Sequence, residues 1–597
     1  MPDPSEFYAA NLEKLRAEKK RLQRRKSVFG MLRLGNIFAL VIVFYFLYSF
    51  GWAYVAGASI LLLILFTRLV HRDLSNRASL IHTSHLIRIN ENEGEALNGN
   101  YSTFPNGEKF QQKEHYYAND LDLFGQASLF QFLNRTCSDM GAATLASWLL
   151  APSQPEVIVK RQQAVKELAG KIPWLQHLQA VGQESNIRQA TLDRLNDWME
   201  SPSVFIQFKH WRWLRFFLPA IVLSCVGATI IGWMPLNSLY IILFLFAVIA
   251  FQLNKLIGPI HEQLSRMVDE LDTLAQSIRM LENEQFNSAL LQDMQSGFSS
   301  EGLPASKKIQ QLKKLLDRLD IRYNIVISFP LNILLLWNLQ QVLSLEQWKK
   351  QAEPDLQHWF AVLGEFEALN SFAVLHFNQP SWIFPELAPK HFYLEATELG
   401  HPLIAQKKRV NNFIRMEHNA DLMLVTGSNM AGKSTYLRSV GIAVIMAMAG
   451  APVCSRRFIV SPVLLLSSMR IADNLEESTS TFYAELKKLK TVIDKVNAGE
   501  KVFVLLDEIL RGTNSLDRHT GSVALMKQLI HKNAAAIIAT HDIALADLQQ
   551  EFPNNIENYH FDVQVNNEEL YFDYKLKPGV CTSMNASILM KKIGIEL

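Results

Sequence analysis

The chain has 597 residues, with 59 basic against 57 acidic side chains and a formal net charge of +2. That length exceeds what one hydrophobic core serves, so roughly two to four structural units are expected. The even balance excludes a globally basic nucleic-acid binder, and any DNA site must be a local patch. Cys137, Cys225, Cys454 and Cys581 show no paired spacing, which suggests neither a disulfide framework nor a zinc site and favours a reducing setting for the soluble parts.

Residues 1–33 are expected to form a basic helix at a lipid surface, since Arg16, Lys19, Lys20, Arg21, Arg24, Arg25 and Lys26 fall close together. The charged region is too long, and too mixed with acidic residues, for a cleavable signal peptide. From Leu34 to Thr67 no residue carries a formal charge, and a second uncharged run reaches from Phe216 to Asn254. A spanning helix needs about 17 to 25 apolar residues, so each run predicts a transmembrane helical hairpin, over 34–70 and 216–254. Gly51-Trp52 and Gly232-Trp233 supply a flexible residue and an interfacial ring near the middle of each run. Basic flanks at Arg68, Arg72, Lys209, Arg212, Arg215 and Lys255, with uncharged turns, predict a multi-pass cell-membrane protein with both termini cytoplasmic.

Residues 71–118 are polar and rich in Asn and Glu, and are expected to be a connector with little core of its own. Apolar residues then recur at helical spacing, and 119–375 predicts an all-α domain interrupted by the second hairpin. Within it, Ile260 to Leu291 and Ile309 to Leu345 predict long helices, and the apolar stretch Asn324 to Leu339, interrupted by Pro330, predicts a buried core helix and not a fifth span. From Asp421 strands and helices alternate, so 376–597 predicts an α/β domain with a mostly parallel sheet. Tyr559 to Val565 and Leu570 to Leu576 predict an antiparallel hairpin.

The chemistry lies in this last domain. Gly427-Ser428-Asn429-Met430-Ala431-Gly432-Lys433-Ser434 fits GxxxxGK[ST], after a predicted strand and before a predicted helix. In such a loop the backbone amides wrap phosphates, the helix N-terminus adds its positive end, Lys433 reaches the outer phosphates and Ser434, followed by Thr435, can ligate magnesium. Asp507-Glu508 ends the strand VFVLL, at the sheet edge where open α/β sheets bind ligands. Asp507 is expected to hold Mg2+ and Glu508 to orient or deprotonate the attacking water, because phosphoryl transfer demands positioning and charge neutralisation. An isolated Asp-Glu at a strand end is usually only solvated, but beside a phosphate loop the catalytic role is favoured. His541, after AAAIIAT, is expected to sense the γ-phosphate of ATP.

Four motifs in order resemble the MutS family of DNA mismatch-repair ATPases. TGSNMAGKSTYLR, Thr426 to Arg438, is similar to that family's phosphate loop; Ser480-Thr481-Phe482 with Glu485 resembles its signature segment; DEILRGTNSLD, Asp507 to Asp517, resembles its magnesium strand; and ATHD holds the matching histidine. The likeness extends upstream to Asp120, where DLDLFGQASLFQFLNRT resembles the start of the helical core. It implies a P-loop ATPase of the ABC type that hydrolyses ATP with Mg2+ at a composite site in a homodimer with a C-terminal dimerisation segment, Ser480 acting in trans, and DNA as a partner. Helix capping by Ser480 is an alternative role for that residue. Nothing before Asp120 resembles the family's mismatch-reading domain, the second apolar run stands where its DNA-embracing levers would project, and Ala431 and Arg518 stand where glycine is usual. The alternative functions are an ATP-gated membrane scaffold and a transport-related ATPase that does not act on DNA.

Overall fold

The computed structural model describes residues 2–206, 209–299, 303–352, 355–418, 420–428, 431–469, 481–566 and 569–581. The chain opens with two long antiparallel helices, α1 (Pro4–Leu47) and α2 (Trp52–Leu97). Asp3 caps α1 by accepting from the amides of Ser5 and Glu6, and Gly51, at φ +114°, makes the turn between the helices. The expected basic helix is therefore not a separate element but the first half of α1. The connector expected over 71–118 is corrected likewise: α2 continues to Leu97 and buries Leu86, Ile87, Ile89, Asn90 and Glu93. Its acidic and amide residues concealed a helical stripe that packs on the body of the protein.

That packing centres on a buried ion pair. Arg135 donates to Glu93 through Nε (2.5 Å) and Nη2 (3.1 Å), and its guanidinium lies 3.8 Å from the Phe104 ring centroid. Asn378 donates to the same carboxylate (2.8 Å) and accepts from the Tyr8 hydroxyl (2.7 Å). Both helices of the first hairpin are thus fastened to the body through one satisfied polar network.

The helical body begins with α3 (Leu129–Leu133), α4 (Asp139–Leu150), α5 (Pro155–Ala169), α6 (Ile172–Gly182) and α7 (Gln189–Glu200). The second hairpin follows as α8 (Lys209–Ile230) and α9 (Leu236–Ser265), turning at Gly232 with φ +86°. The long helices expected downstream are broken into α10 (Val268–Asn283), α11 (Ala289–Ser296), α12 (Ala305–Asp320), α13 (Ile325–Leu335), α14 (Trp337–Ala352) and α15 (Leu356–Asn378). The α4 N-terminus is held by Glu367 of α15, which accepts from Ser138 N (2.9 Å), Ser138 Oγ (2.7 Å) and Cys137 N (3.1 Å). Among the described residues four helices, α1, α2, α8 and α9, are each long and apolar enough to cross a membrane, and α13 with α14 meets the same criterion only as a pair sharply bent at Leu336. The buried core helix expected over 324–339 is overturned: α13 turns Ile325, Val326 and Phe329 outward and buries Ser328 and Asn332.

The C-terminal half holds two sheets. The smaller, with strand order β1-β5-β2-β3, comprises β1 (Glu386–Leu387), β2 (Leu394–Leu399), β3 (Asn412–Met416) and β5 (Arg457–Val460). The larger has the order β10-β9-β4-β8-β7-β6, from β4 (Leu422–Gly427), β6 (Leu464–Ser468), β7 (Val502–Asp507), β8 (Ala535–Thr540), β9 (Ile556–Asn566) and β10 (Glu569–Pro578). Its neighbours pair in parallel except β9 with β10, which form the expected antiparallel hairpin. β4, β7 and β8 are buried throughout, as parallel strands covered on both faces should be. α16 (Lys433–Ala449) covers one face, and one apolar core runs from the helical body through α16 onto that face. Residues of α17 (Thr481–Asn497) and α18 (Ser515–His531) cover the other. A short α19 (Leu548–Glu551) leads into β9.

Candidate functional site

The site forms at the carboxyl edge of three adjacent strands in the order β4, β8, β7. β4 ends in Gly427, β8 is followed by His541, and β7 ends in Asp507 with Glu508 next in the chain. The loop after β4 leads into α16, so Lys433 begins a helix whose free amides face the same edge. Because β8 lies between β4 and β7, His541 stands between Lys433 and Glu508. Its Nε2 lies 2.6 Å from Glu508 Oε1 and 3.3 Å from Lys433 Nζ.

The loop requires its glycines. Gly427 has φ +148°, and a Cβ there would stand 2.8 Å from the Phe561 carbonyl oxygen of β9. Gly432 has φ +107°, and a Cβ on it would meet Tyr574 Cδ1 at 3.1 Å. Ala431 is buried, so its methyl is accommodated where glycine was expected. Lys433 is 5% exposed and donates to Gly427 O (2.8 Å) and Ser428 O (3.1 Å). Burial pulls its pKa down, while the negative charges of Glu508 and Asp507 push it back up. Ser434 and Thr435 occupy the first helical turn and are exposed. Asn429, Met430 and Ser480 lie outside the described residues.

The acidic edge is held under backbone constraint. Glu508 (φ +51°) and Leu510 (φ +59°) are left-handed, a conformation that costs non-glycine residues of the order of 1 kcal/mol each. The Glu508 amide donates to Ala539 O (2.9 Å), prolonging the β7–β8 ladder by one step. Glu485 of α17 is buried and accepts from the Leu510 amide. A Cβ on Gly512 would stand 2.6 Å from Phe482 Cβ, so that loop lies tight against α17. Hydrogen bonding to His541 draws the Glu508 carboxyl below the usual carboxylate range, the charges of Arg511 and Lys433 adding to the shift while partial burial opposes it. Asp507 is buried, and its Oδ1 has no hydrogen-bond partner among the described residues. An oxygen left unmatched close enough to Lys433 to act on its charge suits magnesium, which keeps few protein ligands and takes the rest from water and phosphate. Among the described residues no group of three His, Cys, Asp or Glu side chains is placed to hold a metal by itself.

Arg511 is the participant that motif reasoning did not assign. Its Nε lies 2.9 Å from Glu508 Oε2 and donates to Glu508 O (3.2 Å), so the second carboxylate oxygen is engaged as well as the first. An arginine three residues after an acidic strand end is the only local signal, and many surface arginines share it. Asp120 was missed as well: it accepts from Ser467 Oγ (2.7 Å), Met469 N (3.2 Å) and Lys488 Nζ (3.0 Å), tying the helical body to β6 and α17.

Two family models match the chain in order, MutS domain III over residues 111–373 and MutS domain V over residues 423–593. The protein belongs to the MutS family. Among MutS-family relatives, the DNA mismatch repair protein MutS of Chlorobium phaeovibrioides is 25% identical over 494 residues, 76% of this chain and 55% of that protein. MutS of Aquifex pyrophilus is 32% identical over 225 residues, 36% of this chain and 25% of the relative. The human MutS protein homolog 4 is 31% identical over 213 residues, 32% of this chain and 22% of that protein. The chain thus spans between about a quarter and about half of the length of these MutS relatives. Domain III contains the α8–α9 hairpin, and domain V contains the whole Lys433–His541–Glu508 constellation.

Proposed function

We propose that this protein is a membrane-anchored, dimeric MutS-like ATPase whose nucleotide cycle governs DNA binding in a process related to mismatch repair or recombination. The observation that carries the proposal is the convergence of Lys433, His541, Glu508 and the unmatched Asp507 oxygen on one sheet edge beside a helix N-terminus. The loop from Gly427 to Thr435 binds the phosphates of ATP, with its amides and Lys433 Nζ as donors. Asp507 and Ser434 would hold Mg2+, which when bound would neutralise charge on the phosphates. Glu508, ionised and fixed by His541 and Arg511, orients the attacking water and accepts its proton. His541 couples that carboxylate to Lys433 and so to the outer phosphate. Ser480 of the partner subunit completes the site across the dimer, as the family resemblance implies.

The lipid bilayer is part of the proposal because α1, α2, α8 and α9 present outward apolar surfaces, including Phe44, Phe46, Leu61, Phe217, Ile241 and Phe244. Basic flanks orient the α/β half to the cytoplasmic side. An ATP-gated membrane scaffold that does not act on DNA is the second reading, favoured by one observation: the apolar α8–α9 hairpin interrupts the helical body where levers would embrace a duplex. A gel-shift assay of the detergent-solubilised protein on duplex, mismatched and branched DNA, with and without ATP, separates the two. Nucleotide-dependent binding that weakens steeply with salt supports DNA action; no shift, and no effect of DNA on ATP turnover, supports the scaffold.

A further inference from the structure

α13 is an amphipathic helix turned inside out relative to the protein it packs against. Ile325 is 79%, Val326 84% and Phe329 64% exposed, whereas Ser328 and Asn332 are 8% and 6% exposed. The buried polar residues form a continuous seam. Asn332 Nδ2 donates to Ser328 O (2.9 Å) and Oγ (3.1 Å), Asn332 Oδ1 accepts from the Asn338 amide (3.0 Å), and Asn338 Nδ2 donates to Asn254 Oδ1 of α9 (2.8 Å). A water-facing helix buries its apolar stripe and exposes its amides. Here the outward medium takes the hydrocarbon and the protein takes the amides, which is the arrangement expected against lipid.

The ends of the helix fix how it lies. Before α13 starts, Arg322 lies against Gly258 of α9, its Nη2 3.2 Å from where a Cβ would stand, and the Tyr323 and His261 ring centroids are 5.2 Å apart. After α13 ends, Asn338 reaches Asn254 of the same helix. On α9, Gly258 and His261 lie four and seven residues beyond Asn254, about 6 and 10 Å along its axis, whereas the 11 residues of α13 extend about 16 Å. α13 therefore runs across α9 and not along it, and Leu336, at φ +48°, turns the chain by 78° into α14. The crossing occurs at the level of Asn254 and Lys255, where the uncharged run of the second hairpin ends. Gln340 Nε2, in the first turn of α14, reaches Arg215 O (3.5 Å) at the corresponding end of α8.

We propose that α13 is a non-spanning helix that lies in the plane of the bilayer, with Ile325, Val326 and Phe329 immersed in the leaflet on the side of the α/β half. Such a helix buries its apolar face roughly 5 to 10 Å into the boundary between headgroups and acyl chains. It widens the second hairpin into a collar of three helices around an internal amide seam and fixes the height of the helical body above the lipid. The inference rests on the membrane reading of α8 and α9.

The test keeps the two apart. The full chain, with its four native cysteines replaced by serine and ATP turnover verified, carries one nitroxide-labelled substitution, Val326→Cys, Phe329→Cys, Phe244→Cys in the uncharged part of α9, or Lys532→Cys at the exposed C-cap of α18, and is reconstituted in phosphatidylcholine–phosphatidylglycerol vesicles. The expected result is that oxygen relaxes the labels at 326 and 329 more than a water-soluble nickel chelate does, as at 244, with the reverse at 532. Nickel-dominated relaxation at 326 and 329 while 244 remains lipid-like overturns the α13 inference alone. Nickel-dominated relaxation at 244 as well overturns the membrane reading beneath it. Labels at 326 and 329 shielded from both agents place a second copy of the chain or another protein on this face, and overturn the inference too.

Discussion

The two halves of the chain organise polarity in opposite senses. In the α/β half, continuous apolar strands are buried on both faces and the reactive polar groups are expelled to one edge, where Lys433, His541, Glu508 and Asp507 meet. In the helical half, amides, ion pairs and carboxylates are drawn inward, at Glu93–Arg135, Glu367–Ser138 and Ser328–Asn332–Asn338, while large apolar side chains point outward from the long helices. The first arrangement builds a site for a small charged ligand. The second builds a scaffold that carries large apolar side chains on its surface. One apolar core joins them through α16, so a change at the phosphate loop has a packed path into the helices.

Three substitutions and one titration probe this contrast, from the largest effect to the smallest. Lys433→Ala removes the buried cation of this edge, and nucleotide binding measured by equilibrium dialysis should fall below detection with the fold intact. Retained micromolar affinity would remove Lys433 from the site. Arg135→Ala leaves Glu93 buried without its cation, at a cost of about 3 to 5 kcal/mol. The thermal unfolding midpoint in detergent should drop sharply, and unchanged unfolding would show that the first hairpin is not fastened through this pair. Glu508→Gln should keep ATP binding but slow hydrolysis by about 100-fold or more, with a larger dimer fraction in ATP by light scattering. Normal turnover would dismiss Glu508 as the base.

The smallest effect is a pH dependence in the helical half. Burial raises the Glu367 carboxyl pKa, against the pull of its bonds to Ser138 and Cys137. A carboxyl raised in the folded state holds its proton there at pH values where the unfolded chain has released it. Stability assignable to this group is therefore greatest below the unfolded value, about 4.3, and declines as pH rises toward the folded value. The unfolding midpoint of the wild type relative to Glu367→Gln should fall as pH is raised from 4 through that window. A gap that does not change with pH would contradict the shift.

How much was legible in the sequence follows the same division. The phosphate loop, acidic strand end and histidine were recognisable because each is a short run at a strand boundary, and β4, β7 and β8 are uninterrupted apolar stretches. The hairpin turns at Gly51 and Gly232 were marked by glycine within long uncharged runs. The smaller sheet was not foreseen, because β1, β3 and β5 are short and mix charged with apolar residues. The helical continuation of α2 was hidden because its buried face includes Asn90 and Glu93, polar residues whose partners come from distant parts of the chain. α13 was misjudged for a related reason: its composition shows that it is apolar, but only packing shows which way the apolar face points. Arg511 required the fold to bring it back onto Glu508.

The most direct test of the account is ATP hydrolysis in membranes from cells expressing the full chain, washed with alkaline carbonate and compared with the same preparation carrying Lys433→Ala. Mg2+-dependent hydrolysis should stay with the pelleted membranes and disappear in the variant. Activity released wholly into the supernatant, or equal activity in the Lys433 variant, would contradict it.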